Sequence, residues 1–163
     1  SEILARSGVS RGISIRLKLR FTPIPIGAKE IAVTRPSKEE LKARLTPEQY
    51  RVTQKAGTER PFQNEYNDCK DPGVYHCVCC DAPLYDAAHK FDSGTGWPSY
   101  FQPITPESVR EKSDRSLFLR PRTEILCARC DAHLGHVFDD GPAPTGKRYC
   151  MNSASMVLKP ADG

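Results

Sequence analysis

Two Cys-x-x-Cys pairs, Cys77–Cys80 and Cys127–Cys130, stand 46 residues apart in a chain of 163, and no other feature restricts the fold as strongly. Two intervening residues let both sulfurs of a pair turn toward one ion, so each pair supplies half of a tetrahedral site. Four thiolates leave no open coordination position, which predicts one structural zinc, Zn(2+), rather than a catalytic metal. So wide a gap exceeds the spacing of a compact zinc ribbon, and the ion would therefore staple distant parts of the chain. The competing readings are buried free thiols or a redox-active pair. Cys79 does not fit as a fifth ligand. On an extended segment it points opposite to Val78 and Cys80, and it reads as a packed small residue rather than a reactive one. The chain has seven cysteines, and an odd count argues against a disulfide framework.

The rest of the chain fits a small core held by such a staple. Fourteen prolines and eleven glycines predict short elements and many turns, and exclude long helical bundles. No uncharged apolar run approaches the roughly 18–20 residues that span a bilayer, so no membrane association is expected. The formal net charge is +4, but residues 1–29 alone carry +5, and the remainder carries −1. Electrostatics therefore give the domain no attraction to nucleic acid. Residues 1–29 read as a basic, weakly structured extension and residues 30–163 as a single catalytic domain, expected to be monomeric. A cytoplasmic location is expected, the alternative being an organelle if residues 1–29 are the remnant of a transit peptide.

Capping signals predict two short N-terminal helices. Ser37 with Glu40 opens one running to about Arg44, and Thr46 with Pro47 and Gln49 opens another running to about Thr53. Beyond Gly57 the signals become strand-like: Gly73 to Val78, Ser116 to Leu119, Thr123 to Ala128, Val137 to Phe138 and Arg148 to Leu158. The predicted fold class is mainly β, with antiparallel sheets, short N-terminal helices and the four-cysteine zinc site.

Chemistry concentrates between His133 and Ser153. Two imidazoles (His133, His136), two carboxylates (Asp139, Asp140), Arg148, Cys150 and Asn152 suit thiol chemistry, since nearby cations favour a thiolate and an acid can protonate a leaving oxygen. Strand alternation puts Arg148, Cys150 and Asn152 on one face, with Tyr149 and Met151 on the other. Three polar groups on one face make a poor core and a plausible site wall. The bland reading of the same residues is a structural histidine, a surface turn and an inert buried thiol. Trp97, the only tryptophan, lies in Ser93-Gly94-Thr95-Gly96-Trp97-Pro98-Ser99 and is either an apolar ligand platform or a core anchor.

Taken together, these segments resemble the B-type methionine sulfoxide reductase family from about Glu39 to Pro160. The resemblance rests on Gly57-Thr58-Glu59 with Pro61-Phe62, Gly73-Val74-Tyr75-His76-Cys77, Phe91 through Ser99, Arg122-Thr123-Glu124, His133 through Pro142, and Arg148 through Ser153. It implies a β-rich, zinc-bearing oxidoreductase that reduces the R epimer of methionine sulfoxide, in proteins or free, with thioredoxin as reductant. By the same resemblance Cys150 is the nucleophile, His133, His136, Asp140, Arg148 and Asn152 surround it, and Trp97 contacts the substrate methyl.

One position departs from the family pattern. Many relatives carry a resolving cysteine between the two glycines before the tryptophan, where this chain has Thr95. Cys69, in a loop-like stretch beside Lys70, is the candidate resolving thiol; the alternative is that Cys69 is a bystander and an external thiol reduces Cys150 directly. Outside the family, a zinc-ribbon interaction module and a disulfide or peroxide reductase are the competing functions.

Overall fold

The computed structural model describes residues 35–117 and 119–161. The expected basic extension, residues 1–29, lies outside the described residues. Helix α1 (Lys38–Arg44) is opened by Ser37, whose side chain accepts the Glu40 backbone N–H while the Glu40 carboxylate accepts that of Ser37. Helix α2 (Pro47–Gln54) repeats the arrangement with Thr46 and Gln49. Both boxes satisfy N–H groups that a helix start leaves without partners.

All strand pairing is antiparallel. The first sheet holds β1 (Gly73–Cys77), β2 (Pro83–Asp86) and β9 (Met156–Pro160), in the order β2-β1-β9. The second holds β3 (Lys90–Phe91), β4 (Ser99–Tyr100), β5 (Val109–Asp114), β6 (Arg122–Cys127), β7 (His133–Phe138) and β8 (Arg148–Met151), in the order β3-β4-β8-β7-β6-β5. The core contains a tyrosine cluster: Tyr85 stacks on Tyr100 at 4.4 Å between centroids, and Tyr75 meets Tyr100 edge-on at 5.3 Å. Leu84, Ile125, Leu134, Met151 and Met156 belong to the same core.

Several sequence expectations are corrected. The stretch Ser116 to Leu119 is not a strand where described: Asp114 accepts the Ser116 N–H at 2.9 Å and turns the chain, leaving Leu117 and Leu119 exposed. The strand there is β5, an edge strand whose Arg110, Glu111, Lys112 and Ser113 all face solvent, so no hydrophobic alternation marks it. The expected strand from Arg148 to Leu158 is two strands in different sheets, parted at Ser153–Ser155 by a short 3-10 turn. The short strands β2, β3 and β4 were not expected, and β7 starts at His133 rather than Val137.

Candidate active site and metal centre

Register across the larger sheet assembles the site. Ser99 on β4, Cys150 on β8, His136 on β7 and Glu124 on β6 are successive cross-strand partners, and directly opposed residues share one face. Tyr149 and Met151 point the other way, packed on or within the core, as the alternation of β8 predicts. Gly135 permits this closeness: a Cβ there would lie 2.1 Å from the Cys150 carbonyl oxygen. A bulge leaves Leu134 without a partner opposite β6. Leu134 is thereby buried in the core, and the next-door His133 turns its ring edge-on to His136 at 5.4 Å.

A cavity of about 220 Å³ opens over this face. Cys150, His136, Arg148, Asn152 and Trp97 line it together with Thr58, Thr95, Arg122, Gly135 and Phe138. Trp97 is only half-buried, and its indole N–H donates to the Glu59 carbonyl at 3.0 Å. This placement favours the platform over the core anchor. Arg148 is held from two sides, by paired hydrogen bonds that it donates to Asp140 at 2.9 and 3.2 Å and by the Phe138 ring beneath its guanidinium at 4.3 Å. Asp140 itself is exposed and does not line the cavity. Buried Asn152 joins three segments, accepting the Glu59 backbone N–H at 3.0 Å and donating to the Leu134 carbonyl at 3.0 Å.

His133 stands behind the cavity wall, buried, with Nδ1 2.7 Å from Glu124 and Nε2 without a partner among the described residues. His136 Nε2 lies 3.0 Å from the Asp114 carboxylate, which also meets Arg122. Burial lowers the His136 pKa, only partly opposed by Asp114, and so favours a neutral imidazole. Burial likewise pushes the Cys150 thiol up, against the pull of Arg148 and of the nearby Thr95 hydroxyl. Here the sequence expectation fails: the cation is present, but desolvation outweighs it and the resting sulfur is a thiol.

Sequence reasoning gave no role to Thr58, Arg122, Phe138, Glu59, Glu124 or Asp114. Glu59 and Glu124 were visible inside the motifs, while Asp114 had no signal because its strand was not recognised. Cys69 does not line the cavity that holds Cys150. Lys90 pairs with Tyr100, opposite Tyr149, and its ammonium donates to the Cys69 carbonyl at 2.8 Å. The Cys69 side chain neighbours the Tyr75 hydroxyl and packs on the core. Cys69 therefore belongs to the Tyr100 face of the sheet and Cys150 to the Ser99 face.

The sulfurs of Cys77, Cys80, Cys127 and Cys130 all lie within 4.8 Å of one another, with Cys77–Cys130 and Cys80–Cys127 both at 3.6 Å. The two knuckles share a conformation. Cys77 donates to Ala82 and accepts from Asp81, whose φ is 65°; Cys127 donates to Ala132 and accepts from Asp131, whose φ is 61°. Four convergent sulfurs fit one tetrahedral thiophilic ion. Cys79 lies outside the cluster and is buried, but in a turn rather than the extended segment expected, with the Gln54 amide 3.5 Å from its sulfur.

Comparison with known proteins agrees with this geometry. The SelR domain family matches residues 45–160. Peptide methionine sulfoxide reductase B1, chloroplastic, of Oryza sativa subsp. japonica is 64% identical over 121 residues, which is 74% of this chain and 56% of that protein. Its Arabidopsis thaliana namesake is 63% identical over 122 residues, 75% of this chain and 60% of that protein. Peptide methionine sulfoxide reductase MsrB of Hahella chejuensis is 58% identical over 127 residues, 78% of this chain and 91% of that protein. The chain thus spans under two thirds of the plant relatives and nearly all of the bacterial one. A family match that includes both cysteine knuckles and the whole Cys150 strand leads to one assignment: the chain belongs to the SelR-domain family of B-type methionine sulfoxide reductases.

Proposed function

We propose that the chain reduces the R epimer of methionine sulfoxide, in proteins and as the free amino acid, with Cys150 as nucleophile. The observation that carries this reading is a half-buried thiol sharing a small cavity with an indole platform, Trp97, and a clamped guanidinium, Arg148. Trp97 receives the apolar methyl group, and Arg148 favours negative charge on the sulfur.

The neutral His136, cross-strand partner of Cys150, takes the thiol proton and returns one to the sulfoxide oxygen. Cys150 attacks the sulfoxide sulfur, and the oxygen ends on the cysteine. The products are a thioether and a sulfenic acid: the substrate gains two electrons and Cys150 loses two. His133, held by Glu124, buttresses the His136 ring; Asp140 positions Arg148, and Asn152 fixes the turn after the nucleophile. Two external thiols, supplied by thioredoxin, then return Cys150 to a thiol with release of water and a disulfide. Direct reduction is preferred to the Cys69 route because Cys69 packs against the core and does not line the Cys150 cavity.

The four-cysteine cluster would hold one structural Zn(2+), which fixes the two knuckles and takes no part in the reaction. The names of the two plant relatives support the organellar alternative for location, which cell fractionation with immunodetection tests.

The central test is turnover of a dabsylated methionine-R-sulfoxide with dithiothreitol. Activity on the R epimer, absent on the S epimer and absent in Cys150→Ser, is expected. Equal turnover of both epimers, or activity surviving in Cys150→Ser, overturns the reading.

A further inference from the structure

Thr95 stands where a resolving thiol would stand, and its surroundings give it another use. Its side chain and the Cys150 sulfur line the same cavity, and the hydroxyl is near enough to favour the thiolate. Behind it runs a chain of hydroxyls: Thr95 Oγ1 is 2.8 Å from Ser93 Oγ, and Ser93 Oγ is 2.7 Å from Ser99 Oγ. Ser99 in turn donates to the Trp97 carbonyl at 3.1 Å. Ser99 is fully buried and is the cross-strand partner of Cys150, so the chain ends beside the sulfur where it began.

Each hydroxyl has one proton to give, and this fixes the direction of the resting chain. Ser99 gives its proton to the Trp97 carbonyl, so Ser93 donates to Ser99 and Thr95 donates to Ser93. Thr95 then has only lone pairs left on the side of Cys150 and no proton to offer the sulfur. A thiolate has no proton to give and needs the opposite arrangement. Rotation about two C–O bonds supplies it: Ser93 turns to donate to Thr95, and Thr95 turns to donate to the sulfur. Ser99 keeps its bond to the Trp97 carbonyl, and no hydroxyl loses its proton.

We propose that Thr95 is a catalytic residue of this site, bonded to Ser93 at rest and turning to donate a hydrogen bond to the Cys150 thiolate that attacks the sulfoxide, with Ser93 as the rotor that permits the reversal. The proposal rests on Cys150 being the nucleophile. Charged and titratable groups facing the sulfur are Arg148 on its own strand, His136 on β7, Arg122 on β6 and Glu59 from the preceding loop, with Asp140 bound to Arg148. Burial and Glu59 oppose the thiolate, while Arg148 supplies an opposite charge and Thr95 a short-range donor. A donor that appears only as charge develops stabilises the reacting form more than the resting one.

The test follows iodoacetamide alkylation of Cys150 against pH on the full zinc-loaded chain, read on the peptide that carries Cys150 by mass spectrometry. Thr95→Val, nearly isosteric, is expected to move the midpoint up by about one pH unit, making alkylation roughly tenfold slower at neutral pH. Single-turnover sulfoxide reduction is expected to slow by the same factor with KM unchanged, and Thr95→Ser to restore both. Thr95→Ala serves as a second variant with the same expectation should the valine variant melt early. A Thr95→Val or Thr95→Ala curve that superposes on the wild type, or a Thr95→Ser curve shifted as far, overturns the proposal. Alkylation needs no sulfoxide. Failure of the Cys150 reading, seen as turnover persisting in Cys150→Ser, is therefore distinct from failure of the Thr95 proposal.

Discussion

The carboxylate of Glu59 accepts the backbone N–H of Ser153, 94 positions further along the chain, and its other oxygen accepts the Ala154 N–H at 2.9 Å. One buried side chain thus ties the loop carrying Thr58 to the turn that follows Cys150. Its amide isostere would aim an NH2 group at one of those two N–H donors. Glu59→Gln is expected to destabilise the fold by about 1–3 kcal/mol, the cost of an unsatisfied buried donor. Urea unfolding measures it, and a variant as stable as the wild type would show that the two hydrogen bonds contribute nothing.

The amount of this site legible in the sequence differs element by element. The helices were visible because Ser37 with Glu40 and Thr46 with Gln49 are local signals, complete within four residues. The thiol face of β8 was visible because a two-residue period needs no partner strand. The strand β5 was not, since an edge strand with solvent on its central residues has no apolar pattern to show. Neither was the bulge at Leu134, which sets His133 beside His136: it exists only in the pairing of β6 with β7. The environment of Cys150 was half legible. Arg148 could be seen beside it, but the burial that outweighs the arginine is a property of the assembled sheet.

The metal centre predicts an asymmetry among neighbouring cysteines. Replacing any one of Cys77, Cys80, Cys127 or Cys130 by serine should release about one zinc per chain and lower the melting temperature, because metal binding energy is folding energy. Cys79→Ser, outside the four-sulfur cluster, should keep the metal. Metal content by atomic absorption decides it, and equal loss in Cys79→Ser would show that the wrong sulfurs are paired.

Acid should unfold the protein partly through Asp114. Hydrogen bonds from the Ser116 side chain and backbone, then from His136, hold its carboxyl well below the ordinary range. The unfolded chain therefore binds the proton first. The stabilisation is fully present above about pH 3.9, the value of an unperturbed aspartate, and is lost as pH falls through the folded value. Asp114→Asn should be less stable than the wild type at neutral pH, with the gap closing on acidification below about pH 4. Urea titrations across that range test this; a gap of constant size would exclude the carboxylate as its source.

Trp97 should matter more to turnover than to folding. It lines the cavity half-buried, and its one hydrogen bond is to the Glu59 carbonyl. Trp97→Ala is expected to raise KM and lower kcat/KM for the sulfoxide by at least about tenfold, since misplacing a reacting group is costly. Its circular dichroism spectrum should stay native. A variant that loses its fold would make Trp97 a core anchor instead.

The placement of the two thiols favours one of the two routes for regenerating Cys150. Cys69 packs on the tyrosine core beside Tyr75, and its carbonyl holds Lys90, which pairs with Tyr100 on that side of β4. Cys150 faces the cavity on the Ser99 side. A disulfide requires sulfurs about 2 Å apart, so a Cys69–Cys150 bond would need this loop to leave the core or β4 to detach from β8. Cys69→Ser is therefore expected to keep thioredoxin-dependent turnover near the wild-type rate. After one equivalent of substrate, thiol blocking and peptide mapping should find Cys150 as the sulfenic acid and Cys69 as a free thiol. A mapped Cys69–Cys150 disulfide, together with lost turnover in Cys69→Ser, would mean that the loop does move and that resolution is internal.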